Sequence, residues 1–388
     1  MDKIFLTGVT GLVGAAFVVE TVRNGHDCEF VCLVRKAVGI PAVERLRSII
    51  ADECRFDGCP ELVDKVLSRV TPLEGDLVTM DPKEIASRPE MKGVNKVFHC
   101  AADVNLGKDP TGKVYRINFG GTQNILAVAK AINASEFHYV GTAYIAGKLK
   151  GIAYEDKPID NGFNNPYEES KYKAEMLVRA SGIPFSIYRP GIITGRRGDG
   201  RIRKPLAFYR ILEFLGKLKS HHCNKQHVSP ENWFELELNF GTQLSDRIYF
   251  TPIDYVKDAI ASLFWKPVNG TAYHITGDSP VTTRQIQEAV CRVLRIDGIS
   301  IDANHGTDRP DDKLISRFIG DLFPYFSSEI TFDQSNVRKA LGDSALDWVY
   351  GIDSLEALIR SYYQDYFPKV EWLQKLSRAP IDREPRMG

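Results

Sequence analysis

A tyrosine and a lysine four residues apart are the residues of this chain whose types and spacing most directly imply chemistry. Tyr167 and Lys171 lie in a segment that opens with Pro166 and predicts a helix, so the two side chains share one helix face. A phenol with a pKa of about 10 is a poor acid or base at neutral pH, but a neighbouring ammonium favours the phenolate and lowers that pKa. Thr142, which follows a predicted strand, offers a hydroxyl for the same substrate oxygen. The three residues predict a site that polarises a carbonyl group for hydride addition, although Tyr-x-x-x-Lys also occurs by chance in many helices.

A glycine turn predicts the cofactor-binding fold that such a site requires. The apolar run 4–6 is long enough for one buried parallel strand, and glycines with the spacing GxxGxxG follow it at the start of a predicted helix over 12–22. Glycine lets the backbone approach a pyrophosphate, which the helix N-terminus then binds. A tight strand–helix turn without a ligand is the alternative. The predicted cofactor-binding residues of this turn are Thr7, Gly8, Thr10, Gly11, Leu12, Val13 and Gly14.

Two arginines indicate which dinucleotide would bind. The second predicted strand, 29–35, ends on Arg35, where NAD-binding folds usually place an acidic residue that holds the ribose hydroxyls. An arginine at this position accommodates the 2′-phosphate of NADP instead. Arg45, on the predicted helix that begins near Pro41, can supply a second cation. The sequence therefore predicts NADP(H), with a solvated basic surface as the alternative for both arginines.

Further candidate site residues follow the other predicted strands. Asn118 lies in a predicted helix over 112–131 and precedes two glycines, which is poor helix chemistry and often marks a functional position. Asp76 is placed near the adenine ring, although it could equally cap a helix. The remaining predicted cofactor contacts, together with Tyr167 and Lys171, are Asp76, Leu77, Ala101, Ala102, Pro190, Gly191 and Ile193.

Strands alternate with helices over the first half of the chain, which predicts an α/β fold with a doubly wound parallel (Rossmann) sheet. A smaller, mainly helical C-terminal region is expected to bind the substrate. The predicted division is an NADP-binding domain over 1–195, completed by segments near 247–277, a substrate-binding cap over 196–246 and 278–376, and a disordered tail over 377–388, which is rich in proline and charge.

Composition excludes several classes of function. The 388 residues include 50 basic and 50 acidic side chains, so no bulk charge points to nucleic acid or a membrane surface. No apolar run approaches the length of a membrane span, and no secretory leader is recognised, so a cytoplasmic location is expected. Seven scattered cysteines suit free thiols in a reducing compartment. The cluster His221, His222, Cys223 and His227 could be read as metal ligands, but no second-site ligand frames it, so no metal site is predicted.

These motifs resemble the extended short-chain dehydrogenase/reductase family. Within it the chain is most similar to thioester reductases, the terminal domains of peptide synthetases and carboxylic acid reductases, and more distantly to fatty acyl-CoA reductases. The resemblance runs from residue 3 to about 277, and the segments that carry it are 5–14, 32–35 with 45–46, 74–76, 97–105, 118–122, 167–171 with 174–175, 189–191 and 250–255.

The resemblance implies roles for single residues. It makes Thr142, Tyr167 and Lys171 the catalytic residues and gives Asn118 the task of stabilising the surroundings of the lysine. It also implies that the three glycines form the phosphate loop, that the two arginines hold the 2′-phosphate and that Asp76 lies by adenine. Two departures stand out: Gly141 replaces the serine common before this threonine, and no adenylation or carrier domain is present.

Four functional hypotheses follow. The leading one is NADPH-dependent reduction of an acyl thioester, bound to a carrier protein or to CoA, to an aldehyde or alcohol. The basic loop 196–204 could then receive a phosphopantetheine arm or an acidic acyl or peptidyl carrier protein, with a flexible solvated loop as the alternative. The second is reduction of a ketone or aldehyde of a small secondary metabolite. A sugar-nucleotide epimerase or dehydratase is the third, against which Arg35 argues, and a non-catalytic NADPH-binding regulator is the fourth.

Overall fold

Seven parallel strands form the sheet of the first of two structural units. The structure, a computed structural model, describes residues 1–37, 39–303 and 309–387. The first unit comprises Met1–Gly191, Tyr255–Ile275 and Thr331–Leu346, and the second comprises Ile192–Asp254, Thr276–Ile330 and Asp347–Gly388.

The strands, in chain order, are β1 (Asp2–Thr7), β2 (Cys28–Val34), β3 (Val70–Glu74), β4 (Lys96–His99), β5 (Glu136–Val140), β6 (Gly151–Ala153), β7 (Phe185–Pro190), β8 (Ile192–Thr194), β9 (Phe234–Asn239), β10 (Arg247–Ile248), β11 (Phe250–Pro252), β12 (Thr271–Ile275), β13 (Val281–Thr282), β14 (Ile296–Ser300) and β15 (Ile330–Phe332). The helices are α1 (Leu12–Arg23), α2 (Ala42–Phe56), α3 (Val63–Leu67), α4 (Pro82–Ser87), α5 (Lys113–Tyr115), α6 (Gly121–Ala131), α7 (Pro166–Arg179), α8 (Tyr209–Lys225), α9 (Ile253–Phe264), α10 (Thr283–Leu294), α11 (Pro310–Ile319), α12 (Phe323–Phe326), α13 (Ser335–Leu341), α14 (Ile352–Tyr366) and α15 (Glu371–Arg378). Short 3₁₀ turns cover Pro60–Leu62, Pro89–Met91, Ala143–Ala146, Gly320–Leu322 and Asp343–Leu346, and a π-helical turn covers Arg116–Gly120.

The strand order of the large sheet is β12-β7-β5-β4-β1-β2-β3, and every pair is parallel. The chain leaves β1 first toward β2 and β3 and later toward β4 and β5, so the sheet is doubly wound and its order reverses between β1 and β4. In this register Thr7 lies opposite both Leu33 and His99, which brings the carboxyl ends of the central strands to one edge. The predicted Rossmann-like α/β fold is confirmed.

Apolar runs explain why these strands occupy the middle of the first unit. Ile4, Phe5 and Leu6 of β1 have no exposed surface, as expected for a parallel strand covered on both faces. On one face, Phe17 of α1 stacks on Phe98 of β4 with ring centroids 4.1 Å apart. Burial of such aromatic surface is the main term that holds helices onto a sheet.

A buried ionic cluster fixes α7, the helix that carries Tyr167 and Lys171, to the sheet. Glu175 of α7 accepts two hydrogen bonds from Arg189 of β7, at 2.9 and 2.5 Å, and one from Arg179 at 2.9 Å. Arg189 also donates to Nε2 of His274 at 3.0 Å, so that ring carries its proton on Nδ1 and donates it to the Asp333 carbonyl. Burial raises the pKa of Glu175, but the charges and hydrogen bonds of Arg189 and Arg179 together outweigh burial, so the pKa is lowered.

The second unit is mainly helical and has a small parallel strand pair of its own. β9 and β14 pair in parallel, and neither strand was predicted. Helix α8 extends to Lys225, so His221, His222 and Cys223 lie on a helix. Among the described residues, no group of three or more His, Cys, Asp or Glu side chains is arranged to hold a metal ion.

Lys219 holds two elements of the second unit together. Its ammonium donates to the carbonyl oxygens of Leu294, Arg295 and Asn232 at 2.6, 3.1 and 2.8 Å. The first two carbonyls end α10, where a cation complements the helix dipole. Burial lowers the pKa of Lys219 to about 7. The contact joins α8 to the C-terminal end of α10.

Two of the expected boundaries differ from the structure. Residues Thr331–Leu346, expected in the cap segment 278–376, belong to the first unit. The reason is that α13 packs beside β12, where the Asn336 side chain donates to the Ala272 carbonyl at 3.0 Å. The segment expected near 247–277 is the second difference, because the part of it that belongs to the first unit is Tyr255–Ile275.

The tail 377–388 was predicted to be disordered, and its described part is instead held in place. The Arg383 guanidinium pairs with Asp297 at 2.5 Å and lies 3.7 Å from the Trp233 ring centroid. The backbone N–H of Arg386 donates to the same carboxylate at 2.7 Å. Charge in this tail therefore serves specific ion pairs, which composition does not reveal.

Across the described residues, no helix has both the length and the apolar character needed to cross a membrane.

Replacement of Glu175 by glutamine should destabilise the protein strongly. It leaves the Arg189 guanidinium buried without its counter-ion, a change that costs about 3–5 kcal/mol in the free energy of unfolding. Urea denaturation followed by circular dichroism measures this cost. The control is Lys173→Gln on the same helix, which breaks an exposed pair with Glu169 and should change stability little. Equal effects of the two variants would contradict a structural role for the buried cluster.

Candidate active site

The predicted site residues gather where the parallel strands of the first unit end. Thr7, Arg35, Asp76, Ala101, Thr142 and Pro190 each lie at or just after the carboxyl end of a strand. This is the edge at which open α/β sheets bind ligands. Ile193 is the exception among the predicted residues, because it lies in β8 of the second unit.

The glycine turn is built for close backbone contact. Gly8 has φ +84°, and a Cβ atom there would lie 2.6 Å from the backbone nitrogen of Ala101. A Cβ atom at Gly14 would lie 2.4 Å from the carbonyl oxygen of Gly8. Gly11, which precedes Leu12 of α1, supplies no side-chain cap. No side chain covers the backbone of the turn, and the turn leads directly into the N-terminus of α1. Both features suit the binding of a pyrophosphate.

Arg35, Arg45 and Asp76 come together beside the ends of β2 and β3. The Arg45 guanidinium donates to the carbonyl oxygen of Arg35 at 2.8 Å, and the Arg35 guanidinium lies 3.7 Å from a carboxylate oxygen of Asp76. The other carboxylate oxygen of Asp76 accepts from the backbone N–H of Val78 at 2.8 Å within a turn, and the N-cap of α4 is Asp81, so Asp76 does not cap a helix. The Arg35 side chain is 60% exposed. Two guanidinium groups are therefore available at the strand end where an NAD-binding fold usually has an acid.

Thr142, Tyr167 and Lys171 meet at the end of β5. The Thr142 hydroxyl lies beside the Tyr167 phenol, where it acts to lower the pKa of that phenol. The Lys171 ammonium donates to the carbonyl oxygen of Val140 at 2.8 Å and lies 4.3 Å from the Tyr139 ring centroid. Thr142 and Lys171 are 5% and 2% exposed, so both polar groups sit in a largely dry setting. The side chains on α7 and the threonine after β5 therefore lie together, as the sequence predicted.

The pKa values of Tyr167 and Lys171 differ from those that their spacing on the helix implies. Burial raises the pKa of Tyr167 to about 12, and the neighbouring Thr142 hydroxyl only partly opposes that rise. Burial lowers the pKa of Lys171 to about 8. The expected lowering of the phenol pKa by the lysine is thus not what this structure gives, because desolvation dominates both groups. Tyr167 therefore keeps its proton at neutral pH, as a proton donor must.

Asn118 lies in the π-helical turn Arg116–Gly120, which interrupts the helix predicted to be continuous there. Its amide oxygen accepts from the backbone N–H of Asp103 at 2.8 Å. Its amide nitrogen donates to the Asp103 carbonyl at 3.0 Å and to the Ser170 hydroxyl at 2.9 Å, and Ser170 donates to the Tyr167 carbonyl. Asn118 thus ties the loop after β4 to the first turn of α7. Single-turn π-bulges occur frequently at functional sites.

A hydrogen-bond chain through His99 was not recognised in the sequence. The Thr122 hydroxyl donates to the Asn118 carbonyl at 2.6 Å, so it must accept from Nε2 of His99 at 3.0 Å. Nδ1 of His99 then carries no proton and accepts from the Thr7 hydroxyl at 2.6 Å, and Thr7 in turn accepts from the Ala101 N–H at 3.3 Å. Burial, reinforced by the charge of Lys171, lowers the pKa of His99 to about 3. The sequence feature that could have indicated this chain is a histidine inside an apolar strand, because a buried histidine needs hydrogen-bond partners.

Replacement of Thr122 by valine should break this chain at its centre. Valine keeps the shape but leaves Nε2–H of His99 without its acceptor, which costs about 1–3 kcal/mol in the free energy of unfolding. Thr122→Ser, which retains the hydroxyl, is the matched control and should keep most of the stability. Chemical denaturation measures both variants, and ¹⁵N NMR of the histidines should show the Nε2–H tautomer in the wild type. A valine variant as stable as the serine variant, or an Nδ1–H tautomer, would contradict the chain.

Comparison with known proteins agrees with this geometry. The family model described as Male sterility protein matches residues 6–260. The chain is 29% identical over 309 residues to the non-canonical nonribosomal peptide synthetase FrzA of Cladobotryum sp., which covers 76% of this chain and 28% of that protein. It is 25% identical over 296 residues to the aldehyde reductase lnaA of Aspergillus flavus, with 70% and 25% covered. The chain therefore spans about a quarter of the length of these two curated relatives.

Solved structures show the same fold. The terminal R domain from the myxalamid PKS-NRPS biosynthetic pathway is similar with a TM-score of 0.70 and 23% identity, over 95% of this chain and 92% of that one. A thiolation-reductase di-domain from an archaeal non-ribosomal peptide synthetase is similar with a TM-score of 0.67 and 22% identity, over 94% and 91%. Because the family model covers well over half of the residues, this chain belongs to the family described as Male sterility protein and has the NAD(P)-binding fold of extended short-chain dehydrogenases/reductases, related to the terminal reductase domains of peptide synthetases.

Proposed function

We propose that this protein is an NADPH-dependent reductase that converts an acyl thioester, bound to a carrier protein or to CoA, to an aldehyde or alcohol. One observation carries the proposal: the Tyr167 phenol and the Thr142 hydroxyl lie side by side at the end of a central strand, with the Lys171 ammonium buried one helical turn away. These are the groups that a carbonyl reduction needs at the edge where this fold binds a dinucleotide.

The chemistry assigned to these residues is proton transfer and charge stabilisation. Bound NADPH would supply the hydride for the carbonyl carbon. The hydroxyls of Thr142 and Tyr167 would hold the carbonyl oxygen, and Tyr167 would give its proton to that oxygen as negative charge develops there. The resulting hemithioacetal loses its thiol to leave an aldehyde. Lys171, held by the Val140 carbonyl, would stabilise the tyrosinate left behind.

The choice of NADPH rests on the strand end after β2. The guanidinium groups of Arg35 and Arg45 supply fixed positive charge and forked donors, which suit a phosphate. The phosphate loop, which would bind the pyrophosphate of NADPH, would consist of the backbone around Gly8, Gly11 and Gly14. The surrounding predicted contacts, Thr7, Thr10, Leu12, Val13, Asp76, Leu77, Ala101, Ala102, Pro190, Gly191 and Ile193, remain proposed cofactor residues.

A carrier protein is the proposed partner, supported by the peptide synthetases among the relatives and by the thiolation-reductase di-domain among the similar structures. The basic loop 196–204 contributes less to this idea than the sequence implied. Arg197 and Arg201 form ion pairs with Asp254 and Asp365 at 2.8 and 2.9 Å within the second unit.

We expect the reaction to take place in the cytoplasm.

The second candidate is reduction of a free aldehyde or ketone of a small secondary metabolite. The observation in its favour is that two relatives, lnaA and lnbA of Aspergillus flavus, are described as aldehyde reductases, at 25% and 27% identity. The same Tyr167 and Thr142 hydroxyls would serve either substrate, because both reactions reduce a carbonyl group.

The loss of NADPH absorbance with acyl-CoA or acyl-carrier thioesters tests the proposed function. We expect turnover with the wild type and a loss of at least about 100-fold in kcat for Tyr167→Phe, which removes the proton donor. Tyr172→Phe on the same helix is the control and should retain activity. The proposal fails if thioesters give no turnover while free aldehydes or ketones do, in which case the second candidate takes its place.

Replacement of Arg35 by aspartate should change the preferred dinucleotide. The carboxylate repels a 2′-phosphate but can accept from ribose hydroxyls, so the ratio of kcat/KM for NADPH to that for NADH should fall by about 100-fold or more. Steady-state kinetics with both cofactors measures the ratio. Arg47→Asp introduces the same charge change on α2 at an exposed residue and should leave the ratio nearly unchanged. An unchanged ratio in Arg35→Asp would remove the argument for NADPH.

A further inference from the structure

Tyr139 of β5 has no part in the proton transfer proposed for Tyr167, yet its ring lies against the ammonium of Lys171. The ammonium is 4.3 Å from the ring centroid, within the distance of about 6 Å at which an aromatic face attracts a cation. Tyr139 is 1% exposed and Lys171 is 2% exposed. The contact is therefore shielded from water, and this is the setting in which such an attraction is strongest.

The charge of Lys171 depends on opposing effects. Burial, the largest of them, lowers the pKa of this lysine to about 8, and Glu175 acts to raise it. The Glu175 carboxylate is itself bound by Arg189 at 2.9 and 2.5 Å, so its charge is shared with another cation. The carbonyl oxygen of Val140 accepts from the ammonium at 2.8 Å and favours its charged form. With this pKa the lysine is close to losing its charge at neutral pH, so one further neighbour can decide its charge state.

Three further titratable groups near the lysine are uncharged at neutral pH. Burial lowers the pKa of His99 to about 3 and raises the pKa values of Cys100 and Tyr167 to about 12. Burial also raises the pKa of Tyr139 well above its usual value, so the Tyr139 phenol keeps its proton. These groups bring no negative charge to the ammonium. The face of the Tyr139 ring, by contrast, attracts a cation without being charged itself.

We propose that Tyr139 is a positioning residue: the face of its ring holds the Lys171 ammonium charged and in place, one helical turn from Tyr167. An aromatic face attracts an ammonium but not a neutral amine, so the contact favours the charged form. For a pair shielded from water this preference is about tenfold or more, which corresponds to roughly one pH unit in the pKa of the lysine. The inference deepens the proposed function, and its effect on catalysis rests on that function.

Fluorination of the ring tests this role with little change in packing. Tyr139→Phe keeps an aromatic face, whereas pentafluorophenylalanine at the same position has a similar shape but a face that no longer attracts a cation. We expect the pKa of Lys171 to stay near 8 in Tyr139→Phe and to fall by about one pH unit or more in the fluorinated variant. A pH titration of the lysine ε-carbons by ¹³C NMR, in the protein without cofactor, measures both values, and Lys171→Met identifies the signal. Equal pKa values in the two variants would overturn the inference.

A control and a second variant support this measurement. Lys173 lies 5.5 Å from the Tyr115 ring centroid, but its side chain is 43% exposed. Pentafluorophenylalanine in place of Tyr115 should therefore leave the pKa of Lys171 unchanged. Tyr139→Leu removes the ring with a natural amino acid and should lower the pKa of Lys171 in the same direction as fluorination. Circular dichroism identifies the folded variants, and no fall in any folded variant that lacks the attracting face would also overturn the inference.

The pH dependence of kcat/KM with an acyl thioester and NADPH separates this inference from the proposed function. We expect the alkaline limb of the profile to lie at lower pH in the fluorinated variant than in Tyr139→Phe, by the same amount as the pKa measured by NMR. If no thioester is reduced but the pKa of Lys171 falls on fluorination, the proposed function fails and the role of the ring in holding the charge stands. If thioesters are reduced and neither the pKa nor the profile differs between the two rings, the function stands and the inference fails.

Discussion

The close approach of the turn after β1 to the end of β4 is the constraint on which the site depends. No side chain fits at Gly8, because its Cβ atom would lie 2.6 Å from the Ala101 nitrogen. The two strand ends are further joined by Thr7, whose hydroxyl accepts from Ala101 and donates to His99. Since β1 and β4 flank the point where the strand order reverses, this contact shapes the crevice in which a dinucleotide fits.

Buried polar groups connect this contact to the proposed catalytic residues. The chain from His99 through Thr122 reaches Asn118, and Asn118 bonds to Ser170 in the first turn of α7. The Glu175–Arg189 cluster fixes the same helix five residues further on. Such networks are costly when incomplete, so each member holds the others in one arrangement. Desolvation meanwhile keeps Tyr167 protonated, and this suits a residue that donates a proton.

The sheet edge of the first unit and the small cavity of the second unit are lined by different kinds of groups. In the first unit, hydroxyls, an ammonium and exposed backbone lie at the sheet edge, and these groups suit charged and polar atoms. In the second unit, aliphatic and phenylalanine side chains line a small apolar space, and the polar side chains beside it are already hydrogen-bonded to the backbone.

The sequence by itself determined the sheet, the glycine turn and the meeting of Tyr167 with Thr142, because these follow from local patterns: apolar strands, a tight turn and the spacing of a helix. Tertiary structure decided the rest. The partners of His99, the π-turn at Asn118 and the ordered tail around Arg383 depend on residues far apart in the chain. The same holds for the protonation of Tyr167 and Lys171, because burial, which only packing produces, outweighs the charge pairing that their spacing implied.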